Sequence, residues 1–232
     1  MFQLTSLPRE EVLRYLGYRG SKIPPALEDT IGRCMEETCR LASPAYLYRH
    51  FSIAREEDGI RLVGTPYSLK GQDIRSHLAG CEEIYLLCAT LGLSIDREIR
   101  LRMLTTPEEA LILDAGATAA IEETADAAEE EIADICKRQG LGITWRFSPG
   151  YGDLPLSTQK WLLPLMDAPR KIGLTVTESL LMTPGKSVSA IIGVTHLPST
   201  PQQPEKSGNK KNPCERCPNR ETCAYRKRGN HC

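Results

Sequence analysis

Ala45-Tyr-Leu-Tyr-Arg-His-Phe-Ser-Ile53, then Asp58-Gly59, then Ile60-Arg-Leu-Val63, is the stretch whose reading decides the fold. Two runs rich in β-branched and aromatic residues flank an Asp-Gly pair, which predicts paired strands at 45–53 and 60–63 joined by a tight turn. A hairpin makes its strands antiparallel, so the segment does not belong to a regular alternation of strand, helix and parallel strand.

The segments on either side extend that reading. Before the hairpin, 8–18 predicts a helix closed by Gly17 or Gly20, and Pro25–Leu41 predicts a second. The second carries an apolar stripe of Leu27, Ile31, Cys34, Met35 and Cys39. After the hairpin come a short helix at 73–78 and an apolar run at 83–89, short enough for a buried strand. Helices at 95–104 and Pro107–Arg138 follow, the second long, Ala-rich and acidic. A strand at 143–147, a helix at 157–166 capped by Ser157, and strands at 174–182 and 188–194 joined by a Pro184-Gly185 turn complete the pattern. There is no nucleotide-binding glycine motif. The expected class is α+β: a mixed, largely antiparallel sheet with flanking helices.

The 232 residues carry a net charge of −1, which gives no argument for nucleic acid or a membrane surface as partner. From Pro198 to Cys232, however, eight Lys/Arg stand against three acids, a net +5 that leaves −6 on residues 1–197. Residues 198–212 are rich in Pro, Gln, Lys and Ser and read as a linker between a domain at 1–197 and a cysteine-rich tail at 213–232. No apolar run approaches the length of a membrane span, and acidic residues stand where a signal peptide would be apolar, so the expected location is the cytoplasm. Cys34, Cys39, Cys81, Cys88 and Cys136 lie in apolar periodic segments and are expected as reduced core residues.

Three constellations carry candidate chemistry. Arg146-Phe-Ser148-Pro-Gly150-Tyr151-Gly152 is a poor core strand, because Pro removes a ladder donor and the glycines pack nothing. It suits a ligand loop: glycine admits close backbone approach, and Arg146 offers a rigid donor fork for a carboxylate or phosphate. On the long helix, Asp114, Glu122, Asp126, Glu129 and Glu130 recur along one side, beside small residues at 115–117, 119 and 120. That pattern fits a solvated acidic face backed by an alanine packing seam; it also fits a site where the small residues admit a ligand and Glu122 holds a cation. The third constellation is Cys214-x2-Cys217-x5-Cys223-x8-Cys232. Disulfide pairing is disfavoured in the cytoplasm, and four thiolates suit an iron–sulfur cluster, which tolerates uneven spacing, or zinc, which usually has two tight pairs. His231 stands beside them as a possible substitute ligand.

Residues 82–194 resemble the activation domain of cobalamin-dependent methionine synthase, in the form found as a free-standing protein. The matching stretches are Ala89-Thr-Leu-Gly92, Asp114-Ala-Gly-Ala-Thr-Ala-Ala-Ile-Glu122, Arg146 through Gly152, Leu174-Thr-Val-Thr-Glu-Ser179 and Met182 through Ser189. Their order and separation together are specific. The resemblance implies binding of S-adenosylmethionine and support for reductive remethylation of a protein-bound cob(II)alamin. It thereby implies a corrinoid-binding partner, such as the methionine synthase itself, and an electron donor. By the same resemblance Glu122 meets the ligand's ammonium, and Arg146 with Ser148, Gly150 and Tyr151 surrounds its carboxylate and adenosine. No catalytic acid, base or nucleophile is implied, because cob(I)alamin supplies the nucleophile and the protein's task is positioning. Where the fused enzymes carry a pair of tyrosines after the last strand, this chain reads Thr195-His-Leu-Pro-Ser-Thr200. Service to another corrinoid methyltransferase, or a metal-stabilised adaptor for a corrinoid protein, are the alternative readings.

Overall fold

The computed structural model describes residues 3–18, 20 and 23–195, so the expected linker and the tail with Cys214, Cys217, Cys223 and Cys232 lie outside the described residues. Two helices, α1 (Arg9–Tyr15) and α2 (Pro25–Leu41), precede the hairpin of β1 (Ala45–Glu56) and β2 (Gly59–Leu62). Strand β3 (Ser68–Leu69) and helix α3 (Gln72–His77) lead to β4 (Glu83–Thr90), which is followed by α4 (Leu93–Thr105) and the 32-residue α5 (Pro107–Arg138). Then come β5 (Gly142–Ile143), a 3-10 turn (Leu156–Thr158), α6 (Gln159–Leu165), α7 (Ala168–Ile172), β6 (Thr175–Val176), β7 (Met182–Thr183) and β8 (Ser187–Thr195).

The main sheet has the order β3-β2-β1-β4-β8-β5, and every neighbouring pair is antiparallel. The Asp58-Gly59 hairpin is present, with Glu56 opposite Gly59 and Ile53 opposite Leu62. β1 outruns the prediction by three residues because it serves two partners: its first eight residues pair with β4 and its last four with β2. β4 is buried from Ile84 to Thr90. Its side chains divide by strand periodicity. Tyr85, Leu87 and Ala89 face the layer formed by α1, α2, α4 and α5. Ile84, Leu86 and Cys88 face the opposite layer, which Ile74 and Leu78 beside α3 and Leu162 and Leu163 of α6 help to fill. The α+β class read from the sequence is therefore observed as three layers, with the sheet in the middle. Among the described residues no helix is long and apolar enough to cross a membrane.

Helix α5 runs about 48 Å at 1.5 Å per residue and packs along the sheet. Its small residues are the packing seam: Ala115, Ala117, Ala119 and Ala120 are buried, and a Cβ on Gly116 would stand 2.8 Å from Thr38 Oγ1 of α2. They let helices approach one another, not a ligand. Cys34, Cys81, Cys88 and Cys136 are buried free thiols and Cys39 is half-buried, as expected.

Three expectations need correction. The predicted strands 174–182 and 188–194 are not a hairpin. The chain folds back at Thr177, whose amide bonds to Leu181 O and whose Oγ1 accepts from Leu181 N, so β6 and β7 pair with each other. β8 instead joins the main sheet between β4 and β5. The strand expected at 143–147 shortens to Gly142–Ile143 plus a single bridge from Phe147 to Ile191, since Thr144 Oγ1 accepts from Gly193 N in place of a regular ladder. Ser157 caps nothing: it lies inside the 3-10 turn, and α6 starts at Gln159 without a side-chain cap.

Candidate functional site

The ligand loop lies against the middle of α5. Arg146 leaves the short strand β5 and reaches the helix, where residues 122, 126 and 129 recur at spacings of four and three on one face. Its Nη2 lies 3.0 Å from Glu122 Oε2, and Nη1 lies 2.9 Å from both Asp126 Oδ1 and Glu129 Oε2. The arginine side chain is 17% exposed and that of Glu129 8%, whereas Glu122 is 45% exposed. Burial works against the guanidinium charge, but Glu129 and Asp126, then Glu122, hold its pKa above the ordinary value. Among the described residues Arg146 faces three carboxylates, with the most solvent-exposed one, that of Glu122, at the rim.

The structure thus brings together the two predicted anchors, Glu122 and Arg146. Asp126 and Glu129 belong with them as partners of the guanidinium. A signal for these two was their helical phase with Glu122, which also fits a solvated face. Lys186 settles the rest of that face: its Nζ lies 2.9 Å from Asp114 Oδ1 and 2.9 Å from Thr118 Oγ1. Beside it the amide of Gly185 donates to Asp96 Oδ2 at 2.6 Å, which ties the Pro-Gly-Lys turn to both α4 and α5.

Beyond Arg146 the loop turns sharply. Tyr151 N bonds to Ser148 O, and Gly150 N to Leu154 O. Ser148 is half-buried; Gly150 and Tyr151 are exposed. Gly150 adopts φ +94° and Gly152 φ +52°, and a Cβ on Gly152 would fall 2.1 Å from Asp73 Oδ2. That close approach belongs to a reciprocal clamp on the start of α3. Asp153 accepts from the amides of Gln72 and Asp73, while Asp73 Oδ2 accepts from the amide of Asp153. The two amides hold the Asp153 carboxyl below its usual pKa. The segment 177–179 forms the tip of the β6–β7 hairpin, with hydrogen bonds local to that tip.

Under the loop lies a cluster of rings that the sequence reading missed. His77, at the end of α3, packs edge-on against Trp145 at 4.5 Å between centroids and tilted against Phe147 at 5.0 Å, and Phe147 meets Tyr151 at 6.2 Å. His77 Nε2 lies 2.9 Å from Thr144 Oγ1, while its buried Nδ1 has no hydrogen-bond partner among the described residues. Burial lowers the pKa of this imidazole from 6.5 to about 4. Among the described residues no group of His, Cys, Asp or Glu is placed to hold a metal ion.

Comparison with known proteins gives a family match over part of the chain and a matching fold over most of it. Residues 122–200 match the family described as vitamin B12 dependent methionine synthase, activation domain. That match begins at Glu122 and contains Arg146 and the whole ligand loop. A solved structure described as the MetH reactivation domain bound to AdoHcy superposes with a TM-score of 0.60 at 14% identity, covering 85% of this chain and 82% of that one. No curated protein matches. The resemblance read from the sequence is borne out, through 122–200 by the family and over most of the chain by the fold.

Two outcomes follow for the site. Arg146→Ala removes the guanidinium from three carboxylates, one of them buried, and is expected to cost about 3 kcal/mol in urea unfolding. Adding Glu129→Gln should recover part of that loss, and a flat response in either variant contradicts the pairing. For His77, the unfolded chain takes up a proton near pH 6.5 and the folded chain only near 4. Stability is therefore full above that window and declines as pH falls through it, by about 2 kcal/mol allowing for partial exposure. His77→Gln should flatten the decline in unfolding curves recorded between pH 4 and 7.

Proposed function

We propose that this protein binds S-adenosylmethionine at the Glu122–Arg146 cluster, docks on a separate corrinoid-carrying protein and supports the return of its cob(II)alamin to methylcobalamin. The observation that carries this reading is the coincidence of two results. The segment matched to the activation-domain family contains both Glu122, at the rim of the arginine cluster, and Arg146. The related fold was solved with AdoHcy, which differs from S-adenosylmethionine by one methyl and a positive charge.

The residues present fit the proposed ligand. Its amino-acid end carries an ammonium and a carboxylate, and the rim of the cluster holds a matching carboxylate and guanidinium already paired. An entering zwitterion exchanges the Glu122–Arg146 pair for two: Glu122 turns to the ammonium, and Nη2 turns to the ligand carboxylate. Asp126 and Glu129 keep hold of Nη1 throughout, so the fork stays oriented while it changes partner. Ser148, Gly150 and Tyr151 shape the neighbouring wall, where Gly150 takes the left-handed turn at φ +94° and Tyr151 presents an exposed ring. S-adenosylmethionine would supply a methyl activated by positive sulfur, and the partner's corrinoid the nucleophile. This chain's own residues bind and orient, with no acid–base step assigned to them.

The partner in this reading is the cobalamin-binding part of a cobalamin-dependent methionine synthase, with an electron donor acting on the cobalt. The domain at 1–197 does the binding. The tail at 213–232 holds a metal centre through Cys214, Cys217, Cys223 and Cys232, either an iron–sulfur cluster or zinc.

Calorimetry with S-adenosylmethionine tests the site. Wild type is expected to bind, and Glu122→Gln to weaken binding at least tenfold, the scale of one charge-assisted hydrogen bond. Arg146→Lys, which keeps the charge but loses the fork, is the informative arginine variant because Arg146→Ala also disturbs folding. No heat from a folded wild type overturns the proposal. For the tail, anaerobic purification with an absorbance spectrum and metal analysis should show iron with sulfide or stoichiometric zinc. A metal-free, fully folded protein contradicts a metal centre.

A further inference from the structure

Helix α4 has apolar residues on both sides. Its inner side packs Ile95 into the core and holds Arg102 between Glu37, Glu98 and Glu109. Its outer side carries Leu93, Arg97, Arg100, Leu101 and Leu104, spaced i, i+4, i+7, i+8 and i+11, which is a single helical stripe. The three leucines are at least half exposed, and Leu104 reaches 85%. A helix that is apolar on both sides is a covered helix, and nothing among the described residues covers the outer one.

The stripe is continuous with the candidate site. Its first turn holds Asp96, which accepts from Gly185 beside Lys186, and Lys186 binds Asp114 and Thr118 on the same face of α5 as Glu122. A molecule seated over Glu122 and Arg146 therefore meets the Lys186 turn and then Leu93 as it extends along the surface.

Charge selects the occupant. Most arginines of the described chain are paired with carboxylates, but Arg97 and Arg100 have no ion-pair or hydrogen-bond partner among the described residues. Packing α4 against its own copy in an antiparallel pair would bring Arg97 and Arg100 of both chains together near the two-fold axis, a like-charge juxtaposition. The C-terminal residues 198–232, at net +5, would also meet these arginines with like charge. Neither suits the stripe. A foreign protein surface with apolar side chains flanked by carboxylates does.

We propose that the outer face of α4 is the second half of the surface on which the corrinoid-carrying partner docks, with leucines as anchors and Arg97 and Arg100 fixing register against carboxylates. This rests on the function proposed above. It adds that docking extends beyond the ligand-covering face, so partner affinity and S-adenosylmethionine affinity are separable.

The test measures binding of the full chain to the cob(II)alamin-loaded cobalamin-binding module of a cobalamin-dependent methionine synthase, in low and in high salt. Arg97→Glu/Arg100→Glu and Leu101→Ser/Leu104→Ser should each weaken partner binding at least tenfold. Both should keep the wild-type circular dichroism and S-adenosylmethionine affinity, and the charge variant should also lose most of the salt dependence. Wild-type partner affinity in both variants overturns the proposal. So does a wild-type dimer in light scattering that the leucine substitutions dissociate. If folded wild type does not bind the module at all, the functional reading falls and this inference falls with it.

Discussion

A guanidinium withdrawn from water needs negative charge beside it, and the ligand side of this molecule is organised by that requirement at Arg146. Asp126 and Glu129 hold Nη1 from one helical face, while Glu122 reaches Nη2 from the more exposed rim. Because the carboxylates sit on α5, and α5 is held closely to its neighbouring helices by its small-residue seam, the arginine fixes the position of the loop that follows it. The glycine turn, the Asp73–Asp153 clamp and the rings beneath then determine the loop's course toward α3. The candidate site is a helix with a loop drawn onto it, a fixed frame that suits the positioning role proposed above.

The proposed binding of a zwitterion draws on the same arrangement. The pair at the rim is the more exposed one, since Glu122 is 45% exposed, whereas Glu129 is nearly inaccessible beside Arg146. Under that proposal, exchange at the rim would keep the buried charge neutralised and leave the core of the cluster closed.

Much of this was legible in the sequence, for identifiable reasons. Pro25 and Pro107 mark the first residues of α2 and α5, because proline's missing donor is no loss there. The Asp-Gly pair marks its hairpin, and six apolar residues in a row, Ile84 to Ala89, mark β4. Glu122 and Arg146 were both identified as anchors, but not as partners of each other, because sequence spacing says nothing about a contact made across 24 positions. Asp126 and Glu129 escaped since an acidic stripe facing a single arginine looks like one facing water. The fold-back between β6 and β7 escaped for a local reason. Its turn holds Leu180 at φ +67°, a residue type that gives no turn signal, and the Pro-Gly pair that does give one lies outside that hairpin. His77 was invisible because its neighbours come from separate segments.

The two outermost strands of the main sheet, β3 and β5, are each only two residues long. A stray strand from another molecule could pair with only two residues of either end strand before that strand ran out. Each of these two strands is thus too short to serve as a template for growth into an aggregate.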